Sequence, residues 1–203
     1  MDKSRSGFVI TPTDQDRPIT MNPQDIERAR NAWTYRGQQR PPFAVVPAEG
    51  QESVWDYPRP PAYVPDQRWV EVYAGEQRIA RTERAIRVLE TGHPPAFYLP
   101  PEAVDQVRLR PSARRSFCEW KGEAEYFDVE GSAAGWIRNA LWRYPRPEAE
   151  ASVIAGWFAA YPSLLRCVVA GEPVRAQAGG FYGGWITNEL VGPFKGEPGS
   201  GHW

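Results

Sequence analysis

The chain has 203 residues, enough for one well-buried core. With 24 basic and 25 acidic side chains its formal charge is -1, so no whole-molecule field steers it to nucleic acid or to an anionic membrane. Two cysteines are too few for the disulfide framework of a small secreted domain, so a reducing compartment is expected.

The N-terminal stretch MDKSRSGFVITPTDQDRP carries no apolar run of the roughly 7–15 residues that a secretory signal needs, and no later stretch approaches a membrane span. A cytoplasmic location follows as the expectation. Residues 1–50 read as an extension, and 51–203 as a single domain. Within the extension, residues 1–20 have no periodic apolar face. A helix is predicted next: Asn22 is a good N-cap, Pro23 suits the first helical position, and Asp25 suits the helix dipole. Ile26, Ala29 and Trp33 then recur on one face before Gly37, and Ile26 and Trp33 are expected to pack on the domain. The tether RPPFAVVPAEG follows as an extended segment.

From Trp69 onward the pattern changes to strands. WVEVYA, the turn GE, and QRIART predict a hairpin, with AIRVLET as a third strand of an antiparallel meander. AFYLP and SFCEWKGEAEYFDV predict two more, the second bent or bulged at Gly122, with a helical turn at PPEAV between them. PEAEASVIAGWFAAY predicts a helix that starts at Pro147, lines one face with Val153, Ile154, Trp157, Phe158 and Tyr161, and ends at Pro162. LLRCVVAG returns to strand, and the Gly-rich tail predicts turns and short strands around anchored aromatics. WDYPRP recurs as WRYPRP, AGE recurs, and WKGE recurs as FKGE, in the same order but at unequal separations, which suggests a duplicated β unit rather than a solenoid.

Taken together, ESVWDYPRPP, RVLETGHPPAFYLP, SFCEWKGEAEYFDV, ALWRYPRP and GGFYGGW through VGPFKGEPG resemble a bacterial and fungal family known as domain of unknown function 427. The resemblance runs over residues 30–203. It implies a mainly β fold of the β-tent kind, a pair of antiparallel sheets meeting at an angle with ligands held between them, here with one or two short helices and an N-terminal helical arm. Relatives of that architecture hold zinc with paired Cys-x-x-Cys turns; Cys118 and Cys167 form no such pair, so no metal and no cofactor is expected. The family also carries a nucleotidyltransferase-like label. Gly131-Ser132 is not followed by an Asp-x-Asp, and the one such pair, Asp14 and Asp16, precedes it, so the residues do not support that chemistry.

The chain holds 9 Trp, 9 Tyr and 8 Phe, side chains that serve pocket walls as well as cores. The reading adopted is a pocket for a small organic ligand, with Trp120, Tyr126, Tyr98, Trp142, Tyr182 and Trp185 as walls and Lys121, His93 and Glu90 as polar anchors. Trp120 is placed at the pocket and Lys121 at its rim. Two other readings stand beside it: an enzyme using Cys118 as a thiol or His93 as an acid or base, and a protein-interaction module presenting exposed WDYPRPP and FYGGW segments. A homodimer stays open.

Overall fold

The computed structural model describes residues 21–131 and 135–200. Expectations that concern residues 1–20, Ser132 and His202 lie outside them. The helix α1 spans Pro23–Asn31; Asn22 caps it by accepting from the Asp25 backbone N–H at 2.8 Å. The strands are β1 (Glu52–Ser53), β2 (Ala62–Asp66), β3 (Val70–Ala74), β4 (Gln77–Thr82), β5 (Ala85–Glu90), β6 (His93–Leu99), β7 (Leu109–Cys118), β8 (Gly122–Gly131), β9 (Gly135–Arg143), β10 (Phe158–Ala160), β11 (Arg166–Val169), β12 (Glu172–Pro173), β13 (Arg175–Ala176), β14 (Trp185–Ile186) and β15 (Leu190–Val191). The protein is mainly β.

Two antiparallel sheets dominate: one of seven strands in the order β2-β5-β6-β10-β9-β8-β7, and one of four in the order β12-β11-β3-β4. The expected meander is therefore broken: β3 and β4 pair in the smaller sheet, whereas β5 crosses to the larger one and pairs with β2 and β6. Short pairs β1-β15 and β13-β14 complete the set. The AGE repeats sit at turns at opposite ends of the four-stranded sheet, between β3 and β4 and between β11 and β12. WDYPRP instead begins in a 3-10 turn while WRYPRP begins in β9, so the two copies take different structures.

The larger sheet is buried on both faces, and side-chain alternation sorts its residues. Phe97, Leu99, Phe127, Val129, Leu141, Phe158 and Ala160 join Val70, Val72, Ile79, Cys167 and Val169 in the core shared with the four-stranded sheet. Tyr98, Ala124, Tyr126, Trp142 and Ala159, their neighbours in sequence, face the other way, into a second cluster with Tyr144, Ile154 and Tyr161. That cluster contains no residue of the four-stranded sheet.

Three local expectations are corrected. SFCEWKGEAEYFDV is a hairpin rather than one bent strand: Cys118 pairs with Gly122, the Lys121 N–H reaches the Cys118 carbonyl at 3.3 Å, and Gly122 takes φ +88. Three-residue loops close in this way, with glycine in the left-handed position. PEAEASVIAGWFAAY is not one helix; a 3-10 segment, Ala149–Ile154, ends before Gly156 at φ +73, after which Phe158–Ala160 joins the sheet. No residue of α1 is buried. The helix touches the domain through Arg30 Nε, which donates to the Glu119 carbonyl at 2.8 Å, and beyond its end Trp33 does pack on the domain, over the Arg59 guanidinium at 3.6 Å.

Trp185, expected in a pocket wall, is fully buried in the shared core. Its ring stacks on Phe97 at 4.9 Å and its Nε1–H donates to the Ala160 carbonyl at 2.9 Å. Trp185→Ala is expected to cost about 3–5 kcal/mol of stability, through lost burial and an orphaned carbonyl, and Trp185→Phe clearly less. Urea unfolding of both variants checks this; a loss under 1 kcal/mol for the alanine variant would contradict the packing.

Candidate functional site

On the face of the seven-stranded sheet turned away from the shared core lies a cavity of about 280 Å³. Its floor is the second cluster, with Tyr98 from β6, Tyr126 from β8 and Trp142 from β9, and with Tyr144 and Tyr161 at one side. Alternation places these rings here: each is flanked by a residue committed to the opposite core. The hairpin tip brings Cys118, Glu119 and Lys121 to the rim, and the tail brings Gln177 and Phe181 through Gly184 over the top. Gly183 lies so close to Trp142 that a Cβ there would meet the indole at 2.3 Å, so a side chain would hold the tail off the ring. Gln177 secures this tail, donating to the Lys195 carbonyl at 2.7 Å and accepting from the Gly184 N–H at 3.2 Å.

A charged cluster forms one wall. Glu90, at the end of β5, is 2.8 Å from Arg59 Nη1 and 3.4 Å from Lys121 Nζ. The Arg59 side chain has no solvent exposure; its Nη2 also donates to the Thr91 carbonyl at 3.3 Å, and Glu119 lies 3.8 Å from Nη1. Burial alone would push the Glu90 carboxyl up, but Lys121, His93 and Arg59 together hold it down to about 2. The Lys121 ammonium stays charged: burial works against it, yet Cys118 and Glu90 beside it raise its pKa well above the ordinary value.

His93 lies between the Trp33 and Tyr182 rings, at 5.5 and 5.2 Å. Its Nδ1 is 3.0 Å from the Thr91 carbonyl. A carbonyl can only accept, so Nδ1 carries the proton and Nε2 keeps its lone pair. Burial depresses His93 to about 4 although Glu90 pulls the other way, so the ring is neutral near pH 7. Burial likewise raises the Cys118 thiol above its ordinary value, which leaves it protonated.

Of the residues expected at a site, Glu90, His93, Tyr98, Cys118, Lys121, Tyr126, Trp142 and Tyr182 line this cavity, whereas Trp120 and Trp185 do not. Trp120 packs on the far side of the hairpin tip, where Arg30 sits 5.0 Å from its ring, and Lys121 takes the cavity side. The expected order of wall and rim is thus reversed. Sequence reasoning missed Trp33, Tyr144, Tyr161 and Gln177 as lining residues and Arg59 as the cation behind Glu90. The two WxYPRP segments held a signal, since Arg59 and Tyr144 lie in them. The first is not an exposed docking stretch: Trp55, Tyr57 and Arg59 are buried. Nor does the cavity lie between the two sheets, as the resemblance implied.

A family model labelled NTP transferase and described as a domain of unknown function (DUF427) matches residues 62–171, more than half of the chain. A search of curated proteins returned no match. No helix among the described residues is long and apolar enough to cross a membrane.

Neutral His93 sets a pH dependence. Its pKa in the fold, about 4, lies below the unfolded value near 6.5, so the unfolded chain binds more protons between the two. Its contribution to stability is complete above pH 6.5 and is lost as pH falls toward 4; that of Glu90 is lost lower, between about 4.5 and 2. The His93 ring resonances are expected to stay those of neutral imidazole down to pH 5, and His93→Asn to flatten the fall in Tm between pH 6.5 and 4.5. A His93 titration midpoint near 6.5 by NMR would refute this.

Proposed function

We propose, from the premise that this chain belongs to the DUF427 family, that the domain binds a small organic ligand in the cavity on the outer face of its seven-stranded sheet. The observation that carries the reading is the combination of Tyr98, Trp142, Tyr144 and Tyr161 rings with one buried group of fixed charges, Arg59–Glu90–Lys121. Small-molecule sites are concave, mostly apolar, and oriented by a few polar groups of this kind. At about 280 Å³ the space sits at the low end of ligand pockets and suits a molecule of one or two rings.

Holding a ligand is better supported than reacting with it. The Cys118 thiol is kept protonated by burial, and Lys121 is a charged ammonium rather than a free amine, so neither is an activated nucleophile. Neutral His93 keeps an acid–base role open for a ligand that reaches Nε2. The interaction-module reading loses its main support with the burial of Trp55, Tyr57 and Arg59.

The test is a metabolite library read by melting shift and indole emission, together with native mass spectrometry of the purified chain. A ligand at 100 times its dissociation constant adds about 2.7 kcal/mol by mass action. Ala96 lines the cavity from β6, and Ala96→Phe fills it without removing any core group. This variant is expected to remain folded and to lose the ligand-induced shift; a full shift in it would place the ligand elsewhere.

A further inference from the structure

One group of donors in the cavity is left short of acceptors. Lys121 is buried, and its ammonium carries three N–H groups, of which one is directed at Glu90 across a long 3.4 Å. The Tyr98 hydroxyl accepts from Trp142 Nε1 at 3.1 Å, and its own proton has no acceptor among the described residues. Tyr144 is 6% exposed and its hydroxyl has no hydrogen-bond partner among the described residues. The Tyr98 and Tyr144 rings are 6.3 Å apart, and both line the same cavity as Lys121. Two ammonium N–H groups and two phenolic O–H groups on this lining are therefore without an acceptor among the described residues. Donors that open on the cavity in this way are available to a ligand that brings acceptors.

Building on the binding reading above, we propose that the ligand is an aromatic carboxylate whose carboxylate group meets Lys121, Tyr98 and Tyr144 and whose ring lies against Trp142 and Tyr161. The count of donors decides between acceptors. A carbonyl oxygen has two lone pairs, whereas a carboxylate offers about four acceptor sites, matching the four donors. Charge agrees. Glu90 is already held at 2.8 Å by Arg59, whose side chain is fully buried, so the ammonium of Lys121 is the cation with capacity to spare. An organic cation would find aromatic faces and the Glu119 carboxylate at the rim, but at the Tyr98 and Tyr144 hydroxyls it would sit beside the Lys121 ammonium. The tilted Trp142–Tyr161 pair, with centroids 4.5 Å apart, supplies the apolar surface for a ring.

The experiment compares benzoate, phenylacetate and indole-3-carboxylate with the matching amides, with benzylamine, and with acetate as a ringless anion, by calorimetry and ligand-observed NMR on the full chain. The aromatic carboxylates are expected to bind about tenfold or more tightly than their amides, as charge-assisted hydrogen bonds require. Lys121→Met is expected to erase that preference and Tyr144→Phe to reduce it, both with wild-type circular dichroism. Amides that bind as well as acids, or a preference that survives in folded Lys121→Met, would overturn the carboxylate assignment. If amides or the amine bind and Ala96→Phe blocks them, the pocket stands and only its ligand class is wrong. If no member of the panel binds, the carboxylate assignment falls, and the library screen decides the pocket by itself.

Discussion

The Arg59–Glu90 ion pair is the interaction on which the site depends. A guanidinium with no solvent exposure must be compensated where it lies, and removing one partner of such a pair typically costs about 3–5 kcal/mol. Arg59 draws its compensation from groups far apart in sequence: Glu90 at the end of β5, the Thr91 carbonyl, Glu119 in the hairpin tip, and the Trp33 ring from the N-terminal extension. One buried cation thereby fixes the relative positions of a strand end, a hairpin and the extension, the three segments that frame one wall of the cavity. It also sets the local electrostatics. By engaging Glu90, Arg59 leaves Lys121 less than fully paired, and with Glu90 and Lys121 it holds the neighbouring charges that His93 experiences.

A sheet buried on both faces can carry two unrelated tasks. Along β6 the sequence Phe97-Tyr98-Leu99 sends Phe and Leu into the core shared with the smaller sheet and Tyr into the cavity floor. In β9 and β10 the pairs Leu141-Trp142 and Phe158-Ala159 divide the same way. The core face holds aliphatic side chains and Phe; the cavity face holds rings with polar tips, whose hydroxyl and indole groups bond one another, as Trp142 does to Tyr98 and Ser116 to Tyr126 at 2.7 Å. A stable floor of this composition stays rigid because each ring is fixed by a neighbour committed to the opposite face.

The strands were legible because alternation is a local property, and so were the N-cap at Asn22 and the loose, turn-rich tail. What the sequence concealed was direction and distance. In CEWKG a bulged strand and a three-residue turn share the same residues; only the return pairing of Cys118 with Gly122 chooses the turn, and with it puts Lys121 rather than Trp120 at the cavity. The helix read at 147–161 had good apolar spacing, yet pairing of Phe158–Ala160 on both sides, with β6 and with β9, outweighed a weak local preference already interrupted by Gly156. The repeated WxYPRP segment marked Arg59 without showing its partner, since an ion pair between Arg59 and Glu90 exists only after the sheet has formed.

The span matched by the family model runs from residue 62 to residue 171, and it divides the site unevenly. Inside it lie Glu90, His93, Tyr98, Cys118, Lys121, Tyr126, Trp142, Tyr144 and Tyr161: the floor and the polar wall. Outside it lie Arg59 and Trp33 on one side and Gln177 with Phe181 through Gly184 on the other. The matched region alone would leave Glu90 without its nearest cation and the cavity without its cover. The flanking segments thus do more than decorate the domain. They neutralise its buried carboxylate, enclose its aromatic floor and set how far a bound molecule can extend toward solvent. In physical terms the site belongs to the whole chain from Trp33 to Gly184, and a fragment cut at the limits of the family match would retain the sheet while losing the electrostatic balance on which Lys121 depends.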